Sequence, residues 1–322
     1  MGAQHTLFLL ATSVSLSSPI MSNVLKLGQW GGYGGKAWEW NGPIRKISLR
    51  HGAVVDSLIF TNTKDGKTET SPKFGGDRGE RSSEVSLSDD EYLVTISGTV
   101  GVFPVYYPDQ QVVTSITFVS NKRSYGPYGD GGGTGFSLPL EGGRIAGFFD
   151  RCGEYLDAIG VNVVSFGSQL GTPLGDKVKV GVWGGKGGNS WQYDGPIEKI
   201  VLKYGSVIDS ISFGSTKFGG NGGGNTQEIT VKGDEYLISI RGTTGSFNGH
   251  SVISSIVFVS NKRSYGPYPY GGRGAQSHFY VPVQSGKITG FYGRAGDLLD
   301  AIGIIMGPLP PSRLPFPFLS AG

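Results

Sequence analysis

Cysteine is almost missing from this sequence: Cys152 stands alone among 322 residues, which excludes an internal disulfide framework and removes any support for an oxidising compartment. An excess of charge of either sign is missing too. Lys and Arg total 28 against 25 acidic residues, and no basic run exceeds the Asn-Lys-Arg triplets around Lys122 and Lys262. That is too little to hold nucleic acid or an anionic membrane surface. No apolar stretch reaches the roughly 20 residues that span a bilayer, and no helical period is sustained between caps. The excess is in glycine, with 56 residues, against a usual share of about 7%. The glycines gather near aromatic residues and turns without a strict short period, which argues against collagen and for tight loops in an all-β protein.

The segment Phe118 to Tyr128, Phe-Val-Ser-Asn-Lys-Arg-Ser-Tyr-Gly-Pro-Tyr, returns unchanged from Phe258 to Tyr268. The chain is a tandem repeat. Gly28 to Trp38 pairs with Gly181 to Trp191, and Gly153 to Gly160 with Gly296 to Gly303. The reading that follows is an N-terminal extension (1–21), a first domain (22–166), a linker (167–175), a second domain (176–306) and a proline-rich tail (307–322), each domain long enough to fold alone. Leu7 to Leu16 has the length of a signal-peptide core, yet no Lys or Arg precedes it. A cytoplasmic location is favoured; secretion is the alternative if residues 1–17 act as a signal.

Short alternating runs such as Lys46 to Arg50, Tyr92 to Gly98 and Val113 to Ser120 recur in both halves. Their period of two is the strand signature. Between strands, the spacing Gly-x-x-x-Asp occurs six times, where chance placement gives about three. Four of the six pair across the repeat: Gly52 to Asp56 with Gly205 to Asp209, and Gly153 to Asp157 with Gly296 to Asp300. An isolated match is better read as a turn cap; recurrence at equivalent places points to a site. Glycine lets successive amides point into one concavity, and the Asp supplies two fixed acceptors. Neighbouring hydroxyls of a neutral polyol suit such a cavity. The glycine doublets at Gly31 to Gly35 and Gly184 to Gly188 lie at the start of each repeat, and no Gly-Lys-Ser/Thr sequence follows them to make a phosphate cradle. No cofactor and no metal ligand set is read.

With its Trp-Gly-Gly-x-Gly-Gly-x-x-Trp front, the repeated Phe118 to Tyr128 segment and the Gly-x-x-Leu-Asp-Ala-Ile-Gly end, the chain resembles the jacalin-related lectins across nearly all of residues 24–306, twice. The resemblance implies a tandem β-prism, with three four-stranded antiparallel sheets about a pseudo-threefold axis in each domain. It also implies one sugar site from Gly35, Gly153, Glu154, Tyr155 and Asp157, with Gly188, Gly296, Asp297, Leu298 and Asp300 as its twin. Tyr155 and Leu298 would then offer the ligand different contacts. Additional sites, as in mannose-binding members, would use Gly52, Ala53, Val54, Asp56 and Gly79, and then Gly205, Ser206, Val207, Asp209 and Gly223. Arg78 stands where that pattern has glycine, whereas Gly222 keeps it. Galactose-binding members are cleaved to free a glycine amine, while Gly181 follows uninterrupted chain, so the resemblance implies mannose- or glucose-containing glycans as partners, with a galactose-preferring lectin as the alternative.

An enzyme is the first rival reading. His51, His250, His278 and Cys152 are its available nucleophiles and bases, and none recurs at a motif in the other repeat. The other rival is an assembly module whose glycines serve turns alone. It suits Trp38, Trp40 and Trp191, which are read as packing residues, and leaves four matched carboxylates unexplained. Homo-oligomerisation is left open.

Overall fold

The computed structural model describes residues 24–64, 66–103, 110–166, 177–272 and 274–309. The N-terminal extension, the linker and all but the first three residues of the tail lie outside them. The first half opens with β1 (Val24–Gly31) and β2 (Lys36–Asn41). A second sheet follows, made of β3 (Lys46–His51), β4 (Val55–Lys64), β5 (Lys67–Thr70), β6 (Phe74–Gly75) and β7 (Arg81–Ser86). The third sheet holds β8 (Leu93–Val102), β9 (Gln111–Ser120), β10 (Ser124–Tyr128) and β11 (Thr134–Glu141). Finally β12 (Gly143–Cys152) and β13 (Leu156–Ser165) return to the opening pair, giving the order β1-β13-β12-β2.

The second half repeats the plan. Its strands are β14 (Val178–Gly184), β15 (Asn189–Tyr193), β16 (Lys199–Tyr204), β17 (Ile208–Phe213), β18 (Thr216–Gly219) and β19 (Asn225–Thr230). They are followed by β20 (Leu237–Phe247), β21 (His250–Ser260), β22 (Ser264–Tyr268), β23 (Ala275–Tyr280), β24 (Lys287–Ala295) and β25 (Leu299–Gly307). All named elements are strands, as the period of two requires. On β3, for example, Ile47 and Leu49 are buried while Lys46 and Arg50 keep contact with solvent.

The three sheets of each half turn their apolar faces to one axis. Phe148 of the first sheet stacks on Phe60 of the second at 5.1 Å and meets Phe118 of the third edge-on at 5.9 Å. Phe291 repeats this with Phe213 at 4.9 Å and Phe258 at 6.0 Å. All six rings are fully buried, each stabilising by roughly 1.5–3 kcal/mol through area removed from water. Trp38 and Trp191 stack on Phe74 and Phe218 at 4.5 and 4.4 Å, in the packing role expected of them.

Two features depart from the sequence reading. The second sheet of the first half has five strands instead of four. There β4 runs on to Lys64, and its partner is interrupted at Pro72, which has no N–H to give a ladder. Ser71 Oγ instead accepts the Phe60 N–H at 2.9 Å. A sheet is also shared between the halves. Leu140 and Glu141 of β11 pair with Val180 and Lys179 of β14, merging two sheets into one of eight strands. The same contact recurs with the halves exchanged, since Leu27 bridges Val283 and Gly28 N–H donates to Pro282 C=O at 2.9 Å.

Candidate functional site

All four paired Gly-x-x-x-Asp segments are the tips of hairpins, β3–β4, β12–β13, β16–β17 and β24–β25. They share one turn. The glycine N–H donates to the C=O two residues on: Gly52 to Val54 at 2.9 Å, Gly153 to Tyr155 at 3.0 Å, Gly205 to Val207 at 3.1 Å and Gly296 to Leu298 at 3.0 Å. Each Asp starts or nearly starts the returning strand, and its C=O accepts an N–H from a neighbouring glycine loop. The donors are Gly76 to Asp56 (3.1 Å), Gly32 to Asp157 (2.9 Å), Gly220 to Asp209 (3.1 Å) and Gly185 to Asp300 (2.8 Å). The segments are thus four copies of one hairpin-and-loop unit.

These loops also wrap the carboxylates. A Cβ at Gly34 would stand 2.4 Å from Asp157 Oδ1, and one at Gly35, where φ is +58°, 2.6 Å from Oδ2. At Gly187 it would stand 2.3 Å from Asp300 Oδ1, at Gly79 2.4 Å from Asp56 Oδ2, and at Gly223 2.7 Å from Asp209 Oδ2. Only glycine lets the backbone come this close. Arginine holds the terminal cradles in shape. Arg151 donates to the carbonyls of Gly34 and Gly35 at 2.7 Å each, and Arg294 to those of Gly187 at 2.7 Å and Gly188 at 2.5 Å.

The structure therefore brings Gly35 and Gly153 to Asp157, Gly188 and Gly296 to Asp300, Gly79 and Gly52 to Asp56, and Gly223 and Gly205 to Asp209. Ala53, Glu154, Ser206 and Asp297 point outward at the exposed second position of each tip. The third position turns inward. Val54, Val207 and Tyr155 are buried, Tyr155 edge-on to Phe103 at 5.3 Å, and Leu298 is half-buried. The Tyr155 ring thus packs beneath the loop and does not project from it. Arg78, the departure from glycine, pairs with Glu154 at 2.9 Å and so ties the Asp56 and Asp157 tips together. Beside them a cavity of about 460 Å³ is lined by Gly52 to Val54, Asp56, Arg78 to Arg81, Phe103, Asp130 and Tyr155.

A model of the jacalin-like lectin domain matches residues 27–162 and 180–305. The chain belongs to the jacalin-like lectin family. It is 35% identical over 316 residues to the mannose/glucose-specific lectin of Parkia pendula, covering 90% of this chain and 66% of that protein. An agglutinin of Castanea crenata is 36% identical over 318 residues, covering 89% of this chain and 99% of that one. Among solved structures, a mannose-binding jacalin-related lectin from Ananas comosus is 37% identical, spans 45% of this chain and all of its own, and has a TM-score of 0.41.

In this tandem jacalin-like lectin, burial pushes the pKa of Asp157, Asp300 and Asp209 upward, and that of Asp56 to about 6 against the pull of Gly79, Arg50 and Arg78. The third sheet of each half repeats the glycine approach without a carboxylate. Gly129 abuts Thr114 C=O and Gly272 abuts Ser254 C=O, as Gly75 abuts Asp56 C=O. Each lectin domain therefore carries two acidic tips and one hydroxyl tip. Sequence reasoning missed Gln110, whose Nε2 donates to Asp157 Oδ1 at 2.8 Å, because no local motif marks it. It also missed the roles of Arg151 and Arg294, although both precede their Gly-x-x-x-Asp segment by two residues. Of the candidate bases, His51 is buried with its Nε2 2.9 Å from Ser83 Oγ. Burial and the nearby Asp157 raise the Cys152 thiol pKa, which disfavours a reactive thiolate.

Proposed function

We propose that this chain binds mannose- and glucose-type glycans at its acidic tips and does so without catalysis. The observation that carries the reading is the fourfold recurrence of a carboxylate in a glycine cradle, each with the same turn. Two carboxylate oxygens accept from adjacent hydroxyls, and backbone N–H groups of the tip donate to the ring side. The named specificities of the Parkia and Ananas relatives support the sugar class. Shallow tips bind single sugars weakly, and several on one chain raise apparent affinity for a branched glycan through effective concentration. Catalysis has no support in the pattern, since no nucleophile and base recur together in the two halves.

Titration calorimetry with methyl α-mannoside and methyl α-galactoside tests this. Mannoside heat is expected from the parent protein and a loss of most of it from an Asp157→Asn, Asp300→Asn variant. Unchanged heat in that variant would move binding to Asp56 and Asp209, and no heat with either sugar would end the lectin reading.

A further inference from the structure

The two terminal tips are built alike, but one carries an internal partner. In the first half, the connection from β8 to β9 leaves at Phe103 and returns at Gln110, where Phe103 N–H donates to Gln110 C=O at 3.0 Å. In the second half, Asn248 and Gly249, at φ of +50° and +80°, join β20 to β21 as a two-residue hairpin turn. The longer connection changes what reaches the site. Phe103 packs on Tyr155, and Gln110 Nε2 takes Asp157 Oδ1 at 2.8 Å from the side of Gly34.

The equivalent of Gln110 is His250. Gly32 abuts Gln111 C=O just as Gly185 abuts Ser251 C=O, which aligns the strand starts one residue later. His250 is exposed, and among the described residues no side chain donates a hydrogen bond to Asp300. Asp157 is fully buried, whereas Asp300 keeps 6% of its surface. A hydrogen bond to a charged acceptor is among the stronger kinds, and breaking it has to be offset by whatever replaces it. A hydroxyl arriving at Oδ1 meets an acceptor already engaged in the first domain and a free one in the second.

We propose that Gln110 caps the sugar-binding carboxylate of the first domain, making Asp300 the stronger terminal site and Gln110 the residue that sets the difference. This rests on the glycan-binding reading above. The test is calorimetry with methyl α-mannoside on the full chain carrying Asp56→Asn, Asp209→Asn and Asp300→Asn, which leaves the Asp157 tip alone. Adding Gln110→Ala is expected to tighten binding about tenfold, and Gln110→Glu, which sets a like charge beside Asp157, to weaken it. With Asp157→Asn replacing Asp300→Asn in the background, binding is expected to be tighter than at the capped tip and indifferent to Gln110→Ala.

If Gln110→Ala leaves the Asp157 tip unchanged, weaker or silent while the Asp300 tip still binds, the cap is overturned and the lectin function stands. Loss of all mannoside heat, in the parent protein as well, removes both. Should the combined background melt below the working temperature, Gln110→Ala in the otherwise unaltered chain decides instead. The weaker class of sites must then tighten while the stronger stays fixed, and any other result counts against the cap.

Discussion

Asp150 shows how far one residue can depart from the pattern around it. It is buried, holds a φ of +140°, and leaves Oδ2 without a hydrogen-bond partner. At the equivalent place the second half has Gly293. Burial pushes the Asp150 carboxyl up to about 7, with Arg151 opposing. A raised carboxyl pKa means that the fold prefers the neutral form, so stability present below the ordinary value near 4 is lost as pH rises through about 7. Asp150→Gly should relieve both the backbone strain and the buried charge, stabilising at pH 8 by on the order of 2 kcal/mol after discounting for solvent screening. At pH 4 the gain should be smaller, and thermal melts at the two pH values check it. An equal gain at both would assign the whole effect to the backbone. The sequence made Asp157 and Asp300 legible because each lies in a local spacing that repeats. Gln110 was hidden because it reaches Asp157 from another sheet, and the inward turn of Tyr155 was not legible because a variable loop position says nothing about which way its side chain turns.

The identical eleven-residue segments serve the end of each domain opposite the acidic tips. At the far end of β9, Ser120 Oγ and Tyr125 OH donate to Glu91 Oε1 at 2.6 and 2.7 Å, and Arg123 lies 3.4 Å from Oε2. Glu235 is held likewise by Ser260 and Tyr265 at 2.7 Å each and by Arg263 at 3.1 Å. Burial opposes the charge of Glu91, but these donors outweigh it and bring its pKa down to about 2. For Glu235, Arg263 leads the donors that bring it to about 2. A depressed carboxyl stabilises the fold above its unfolded value near 4.5, and that contribution is lost as pH falls toward 2. The melting temperature should therefore drop steeply between about pH 4.5 and 2, and a Glu91→Gln, Glu235→Gln variant should start lower and show a flatter acid limb. An unaltered acid limb would place acid sensitivity elsewhere. Strands were legible here because alternation is local, and so was the anchor as a repeated word. Its purpose was not legible, since Glu91 lies 29 residues before Ser120 in the chain and meets it only across strands. The splitting of β5 from β6 likewise turned on Pro72, whose effect depends on the length of β4.

Two repeats in sequence suggested two folding units, and the structure pairs the edges of the two. In each half, the first strand and the last strand of the third sheet are edges within that half, and each is partly covered by its counterpart from the other half. The joint includes Trp30 Nε1, which donates to Tyr280 C=O at 3.2 Å, and Lys26 N–H, which donates to Ser285 Oγ at 2.8 Å. Because the two contacts are equivalent, one half cut free presents both members of the joint at once: the β1 edge that received Val283 and the β11 edge that received Val180. Unpaired edges of this kind are templates for another copy. A fragment of residues 22–166 should therefore form a twofold dimer in which β1 of each copy meets β11 of the other, since an interface that uses both edges closes on itself. Light scattering after size exclusion reads the mass directly. Replacing Glu141, which pairs with Lys179 in the intact chain as Gln284 N–H pairs with Lys26 C=O, by Pro removes an edge N–H and should return the fragment to a monomer while its hairpin tips, at the other end of β11, keep their mannoside binding. A fragment monomeric from the start with the melting temperature of the full chain would show the joint to be a contact between finished domains. A dimer that Glu141→Pro dissociates would show that the tandem chain has made, within one molecule, the pairing its halves otherwise seek between molecules.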